Sequence, residues 1–84
     1  MGKQIKKKIK GTEYTFQKLT AMEWIRLKER SQDENGRMRD SLYFKEIAEH
    51  VIVDPKLDLE VFEDAEELTE IMEVATFLHI KKKK

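Results

Sequence analysis

The chain has 84 residues, of which 40% are charged, with 17 Lys/Arg against 17 Asp/Glu and no cysteine. That length suits one small domain burying about 60–65% of its unfolded surface, with little room for an enzyme's cleft. Disulfides and zinc–thiolate sites are excluded, no apolar run approaches the ~18 residues of a membrane span, and the basic start lacks a signal peptide's apolar core. The expectation is a soluble, intracellular (cytoplasmic) protein with a single domain over 1–80 and a basic tail at 81–84. The zero net charge hides a segregation. Residues 1–45 carry twelve basic against six acidic residues (+6), residues 46–80 carry one against eleven (−10), and the last four add +4. Such asymmetry steers a charged partner or lets the two halves attract each other within one fold, and the second is the simpler account.

Residues 3–18 read as a β-hairpin. Ile5 and Ile9 alternate with lysines, Lys10-Gly11-Thr12 supplies a turn, and Tyr14 and Phe16 alternate with Glu13 and Thr15. Period-2 spacing places each apolar pair on one face, which has to rest on helices because an isolated hairpin is marginal. The lysines of the edge discourage strand pairing between molecules.

A helix over about 20–34 opens with Thr20 and Glu23 as a capping box and Leu19 with Trp24 at the spacing of a hydrophobic staple. Ala21, Trp24, Ile25 and Leu27 form its expected buried side, Asn35-Gly36 its stop, and Ser31 to Arg39 a polar loop. The next helix, 40–50, carries Phe44, Ile47, Ala48 and Val51 as one stripe with Leu42 on the other side. Pro55 then forces extended chain at Val51-Ile52-Val53, and Asp58 caps a short helical turn over 58–62. A last helix, 64–79, starts on Asp64 with Glu67 at the capping-box position. It turns Leu68, Ile71, Met72, Ala75 and Leu78 to the core. The expected fold is α+β and mainly α, an N-terminal hairpin packed on three to four helices.

Chemistry-bearing patterns are scarce. His50 and His79 lie far apart, neither at ligand spacing from another His or Cys, so neither is expected to bind metal. The carboxylates fall on helix N-termini and exposed faces rather than in a sheltered pair. Gly2, Gly11 and Gly36 stand alone, without a phosphate-cradling loop, and Ser31 and Ser41 lack a nucleophile elbow. No catalytic residue, cofactor or metal is expected.

Two features suit binding. Lys3, Lys6, Lys8 and Lys10 with nearby aromatics offer a nucleic-acid surface, opposed by the direction of the aromatics and by the acidic C-terminal half. Phe77 lies opposite Leu68 at ~100° per residue, among Glu66, Glu70 and Glu73, with Val74 nearby. It is a frayed-end accident or a partner's anchor, and Val74, Phe77, Glu70 and Glu73 form the candidate partner surface.

The order of basic strand, K-G-T-E-Y-T-F-Q-K-L-T-A-M-E-W at 10–24, polar loop, E-H-V-I-V-D-P-K-L at 49–57 and acidic segment around Phe62 resembles the small tail assembly chaperones of long-tailed phages and of prophages in Gram-positive bacteria. The resemblance covers nearly the whole chain. It implies a non-catalytic protein that binds the tape-measure protein and helps recruit tail-tube subunits, with no site residue to carry over, and the balanced, charge-segregated surface also suits self-association. Such chaperones are often made in a short form and a longer form by a −1 ribosomal slip, which suits the lysine run Lys81 to Lys84. A solubilising basic tail is the plainer account of that run. Alternatives are a small nucleic-acid-binding or regulatory protein using the lysine strand, and a structural head–tail or tail component.

Overall fold

The computed structural model describes residues 3–80. The basic tail expected at 81–84, with the slip site placed on it, lies outside the described residues. The elements run β1 (Gln4–Ile9), β2 (Thr12–Gln17), α1 (Ala21–Arg30), α2 (Asp40–His50), β3 (Ile52–Asp54) and α3 (Ala65–His79). The domain is a small α+β fold, an antiparallel three-stranded sheet ordered β1-β2-β3 against three helices.

The hairpin closes on the two-residue loop Lys10-Gly11, since Ile9 pairs with Thr12. Both loop residues have positive φ, +49° and +84°. That is the type I′ geometry whose twist matches the strands, and Gly11 adopts it without a Cβ penalty. The register sets Ile5 opposite Phe16 and Lys7 opposite Tyr14. One face of the hairpin thereby gathers Ile5, Ile9, Tyr14 and Phe16 with Lys7 at its open edge, and Ile9, Tyr14 and Phe16 are buried. Tyr14 keeps its hydroxyl satisfied by donating to the Glu67 carboxylate of α3. Burial, and then the neighbouring Glu67, push the phenol up to about 12.

Of Val51-Ile52-Val53, expected to be extended, Val51 closes α2 in helical geometry, and Ile52–Asp54 form a third strand. Phe16 pairs with Ile52, Thr15 with Asp54, and the Gln17 N–H donates to the Val51 carbonyl at 2.8 Å. The two halves of the sequence are thus joined through the sheet. The 58–62 segment is not a helix. It is a hydrogen-bonded turn in which Asp58 Oδ1 accepts the Glu60 N–H and the Asp58 carbonyl accepts that of Val61, both at 3.1 Å. Asp58 caps one turn there, but the chain continues extended instead of propagating it.

Thr20 caps α1 with both bonds of the capping box, Glu23 N–H to Thr20 Oγ1 at 3.2 Å and Thr20 N–H to Glu23 Oε1 at 3.0 Å. The helix ends at Arg30, short of Asn35-Gly36. Buried Ser31 turns its hydroxyl back onto the Leu27 carbonyl at 2.8 Å, competing with continued helix. The polar loop that follows is internally bonded. Gln32 and Met38 form an antiparallel bridge, Arg39 N–H donates to the Ser31 carbonyl, and Asp33 Oδ1 accepts the N–H groups of Asn35 and Arg37. Those N–H bonds hold the Asp33 carboxyl below its ordinary range. Gly36, at φ +80°, makes the bend. Trp24 and Leu27 are buried as expected, whereas Ile25 is 46% exposed and Ala21 is exposed too. With only ten residues and one neighbouring side, α1 buries a narrow stripe.

The core gathers Phe16, Leu27, Ile47, Val51, Ile52 and Ile71 with Trp24 and Met72. Trp24 stacks flat on His79 (centroids 4.3 Å apart, planes 3° apart) and meets Tyr43 edge-on at 6.2 Å. His79 clasps the end of α3 to the start of α1. Its Nε2 accepts the Leu19 N–H at 2.8 Å, which requires that the ring proton sit on Nδ1, facing the Ala75 carbonyl at 2.8 Å. Among the described residues, no helix is long and apolar enough to cross a membrane.

Candidate functional site

Helical periodicity brings Ser41, Phe44, Lys45, Ala48 and Glu49 onto one side of α2. The turn after β3 passes in front of that side, because the Asp58 bonds hold Leu57 and Leu59 in place. Leu68 of α3 closes the far wall. The result is a groove of about 490 Å³ with a floor of Phe44, Ala48, Leu57, Leu59 and Leu68. Its rim carries Lys45 against Glu49, Asp58 and Glu60, so it is acidic.

A second, smaller cleft of about 220 Å³ lies on the other side of Phe44, along the same α2–α3 seam. Tyr43, Phe44, Met72, Thr76 and Phe77 line it, with Glu73 at its edge. Tyr43 and Thr76 share a hydroxyl–hydroxyl bond of 2.6 Å across it. Burial raises the Tyr43 phenol above its ordinary value, against the pull of Thr76. Phe44 is common to both clefts, so the seam is one apolar strip divided by one ring.

The expected partner surface is partly assembled. Phe77, 48% exposed, and Glu73 meet in the smaller cleft, and Glu70 lies one turn further back on the outer face of α3. Val74 does not belong there: it is half-buried and packs against the core, because its position on the wheel turns it toward the buried side with Ile71. Glu67, expected to complete a capping box, accepts Tyr14 instead, while Asp64 Oδ1 alone caps α3 through the Glu67 N–H at 3.0 Å.

The alternative basic surface also divides. Lys6 and Lys8 pair with Thr15 and Glu13, so they stand on the sheet face away from Tyr14 and Phe16, and Lys3 is exposed just before β1. Lys10 belongs to the fold instead. Its Nζ lies 3.3 Å from Asp64 and 3.2 Å from Glu66 at the start of α3. Glu66 and then Asp64 raise the Lys10 ammonium, and the Glu67 N–H followed by Lys10 lower the Asp64 carboxyl. The aromatics that would have stacked bases are buried under the hairpin.

His50 lies with Glu46 and Glu49 at the end of α2, their ligand atoms within 4.8 Å of one another. Glu46 already takes the Arg30 guanidinium at 2.8 Å and His50 at 3.4 Å, which makes this an ion-pair cluster between α1 and α2. A cation there would share the Glu46 carboxylate with Arg30.

Leu57 and Leu59 are the groove residues that periodicity alone did not single out. The alternation L-D-L-E at 57–60 is the strand-like signal that marks them. Compared with models of protein families, with curated proteins and with solved structures, the chain matches none.

Proposed function

We propose that the chain is a non-catalytic, cytoplasmic tail assembly chaperone of the phage type, binding a tape-measure protein along the α2–α3 seam and aiding tail-tube assembly. The observation that carries the binding role is the apolar strip on either side of Phe44, a concave seam between α2 and α3 with charged residues at its rim. A groove of this kind recognises side chains of another polypeptide, with the charged rim supplying selectivity and encounter rate. The phage assignment comes from the resemblance at 10–24 and 49–57. Those two segments are the hairpin turn with β2 and the start of α1, and the end of α2 with β3, and they pair with each other in the sheet.

Affinity capture of the tagged chain, co-expressed with the genes that neighbour its own, tests this directly. A long, helix-rich protein that co-purifies, identified by peptide mass spectrometry, supports the chaperone. Recovery of nucleic acid alone, released at high salt, supports the lysine strand instead.

A further inference from the structure

We infer that the α2–α3 seam takes a basic amphipathic helix, with two apolar anchors one on each side of Phe44 and lysines or arginines against the acidic rim. This deepens the chaperone proposal and rests on it for the existence of a polypeptide client. Spacing carries the first part. The larger cleft ends at Leu68 and the smaller one is centred on Met72 and Thr76, four and eight residues on along α3. At 1.5 Å per residue that is about 6–12 Å, which spans the distance between anchors at i and i+4 or i+7 of a docked helix. The walls of the seam are two helices and a turn, not a sheet edge, so an extended strand would find no ladder there for its backbone, whereas a helix bonds its own.

Charge carries the second part. Glu49, Asp58 and Glu60 stand around the larger cleft against one lysine, Lys45, and Glu73 stands at the smaller one. A helix with acidic flanks would meet like charge at both ends, which costs affinity as well as encounter rate. The chain itself offers a competing occupant, because α1 exposes Met22 and Ile25 beside Arg26. Met22 and Ile25 stand only three residues apart, about 4.5 Å along the axis and short of the distance between the clefts, so the client's helix is the one assigned.

The test uses the full chain and two synthetic 18-residue helices with the same Leu/Met face, one flanked by lysines and the other by glutamates. Binding is read by fluorescence anisotropy and mapped by amide NMR shifts. We expect the lysine-flanked helix to bind at least about tenfold more tightly, with shifts at Phe44, Leu57, Leu59 and Met72. The double variant Glu49→Lys/Glu60→Lys, altered only at exposed rim positions, should reverse the preference. Equal affinity of the two helices, no binding at millimolar peptide, or shifts confined to another surface would overturn the inference. So would a concentration-dependent rise in mass of the chain alone, by sedimentation equilibrium, that the double variant abolishes, since the seam would then hold α1 of a second copy. Capture of a tail protein by the double variant as well as by the parent would remove the basic helix and leave the chaperone standing. Helix binding without such capture would do the reverse.

Discussion

Trp24 and His79 form one unit at the junction of α1 and α3, and each makes a separate claim. The indole is 6% exposed, lies flat on the imidazole, and its Nε1 finds no hydrogen-bond partner among the described residues. Trp24→Ala should therefore cost about 3–5 kcal/mol in urea unfolding, enough to unfold so small a domain. Trp24→Phe sheds an unsatisfied buried donor along with part of the ring and should cost distinctly less. His79 is held neutral. Burial pushes it below its ordinary 6.5, opposed by the Ala75 carbonyl, and a proton on Nε2 would break the bond from Leu19. Because the unfolded chain takes up this proton more readily than the folded one, the contribution is complete above pH 6.5. It is lost as pH falls from there through the lower folded value. Denaturation midpoints compared at pH 7.5 and 5.5 should fall for the parent and fall less for His79→Gln. An equal fall would show that His79 is not the group responsible.

The start of α1 was written plainly in the chain, since Thr20 and Glu23 form the capping box that their spacing announces. Thr20→Ala should cost about 1 kcal/mol by the same unfolding assay. The hairpin turn and the span of α2 were equally legible, because both depend on neighbours in sequence. Three features escaped the local pattern, the first through a competing bond four residues back and the other two through contacts distant in sequence. Ser31 ends α1 through its own hydroxyl, Ile52 becomes a strand only because Phe16 stands beside it, and Val74 is drawn inward by the way α3 rests on the core. The groove belongs with these, since Leu57 and Leu59 acquire a role only once the turn crosses α2. Phe77 separates surface from core most simply. Phe77→Ala should weaken client binding by ~1–3 kcal/mol in a titration while leaving the melting curve nearly unchanged. Equal losses in both would place its side chain in the packing.

The charge segregation of the sequence is used twice. Part of it joins the halves of the fold, through Lys10 to Asp64 and Glu66 and through Arg30 to Glu46. The remainder faces outward, as lysines on the open face of the hairpin and carboxylates around the α2–α3 seam. The pairs that join the halves stand in largely exposed positions and add little to stability, and the outward share gives the seam its sign. The proposed client site therefore stands on the apolar strip first and the rim second. Leu59 is the residue through which to probe it, since it lines the groove and is not among the residues packed in the core cluster. The deciding measurement is capture of the proteins co-expressed from the neighbouring genes by the parent chain and by Leu59→Lys, with both melting curves recorded. The variant should melt like the parent and lose most of the captured client. Undiminished capture by a folded Leu59→Lys chain would contradict the seam as the binding surface.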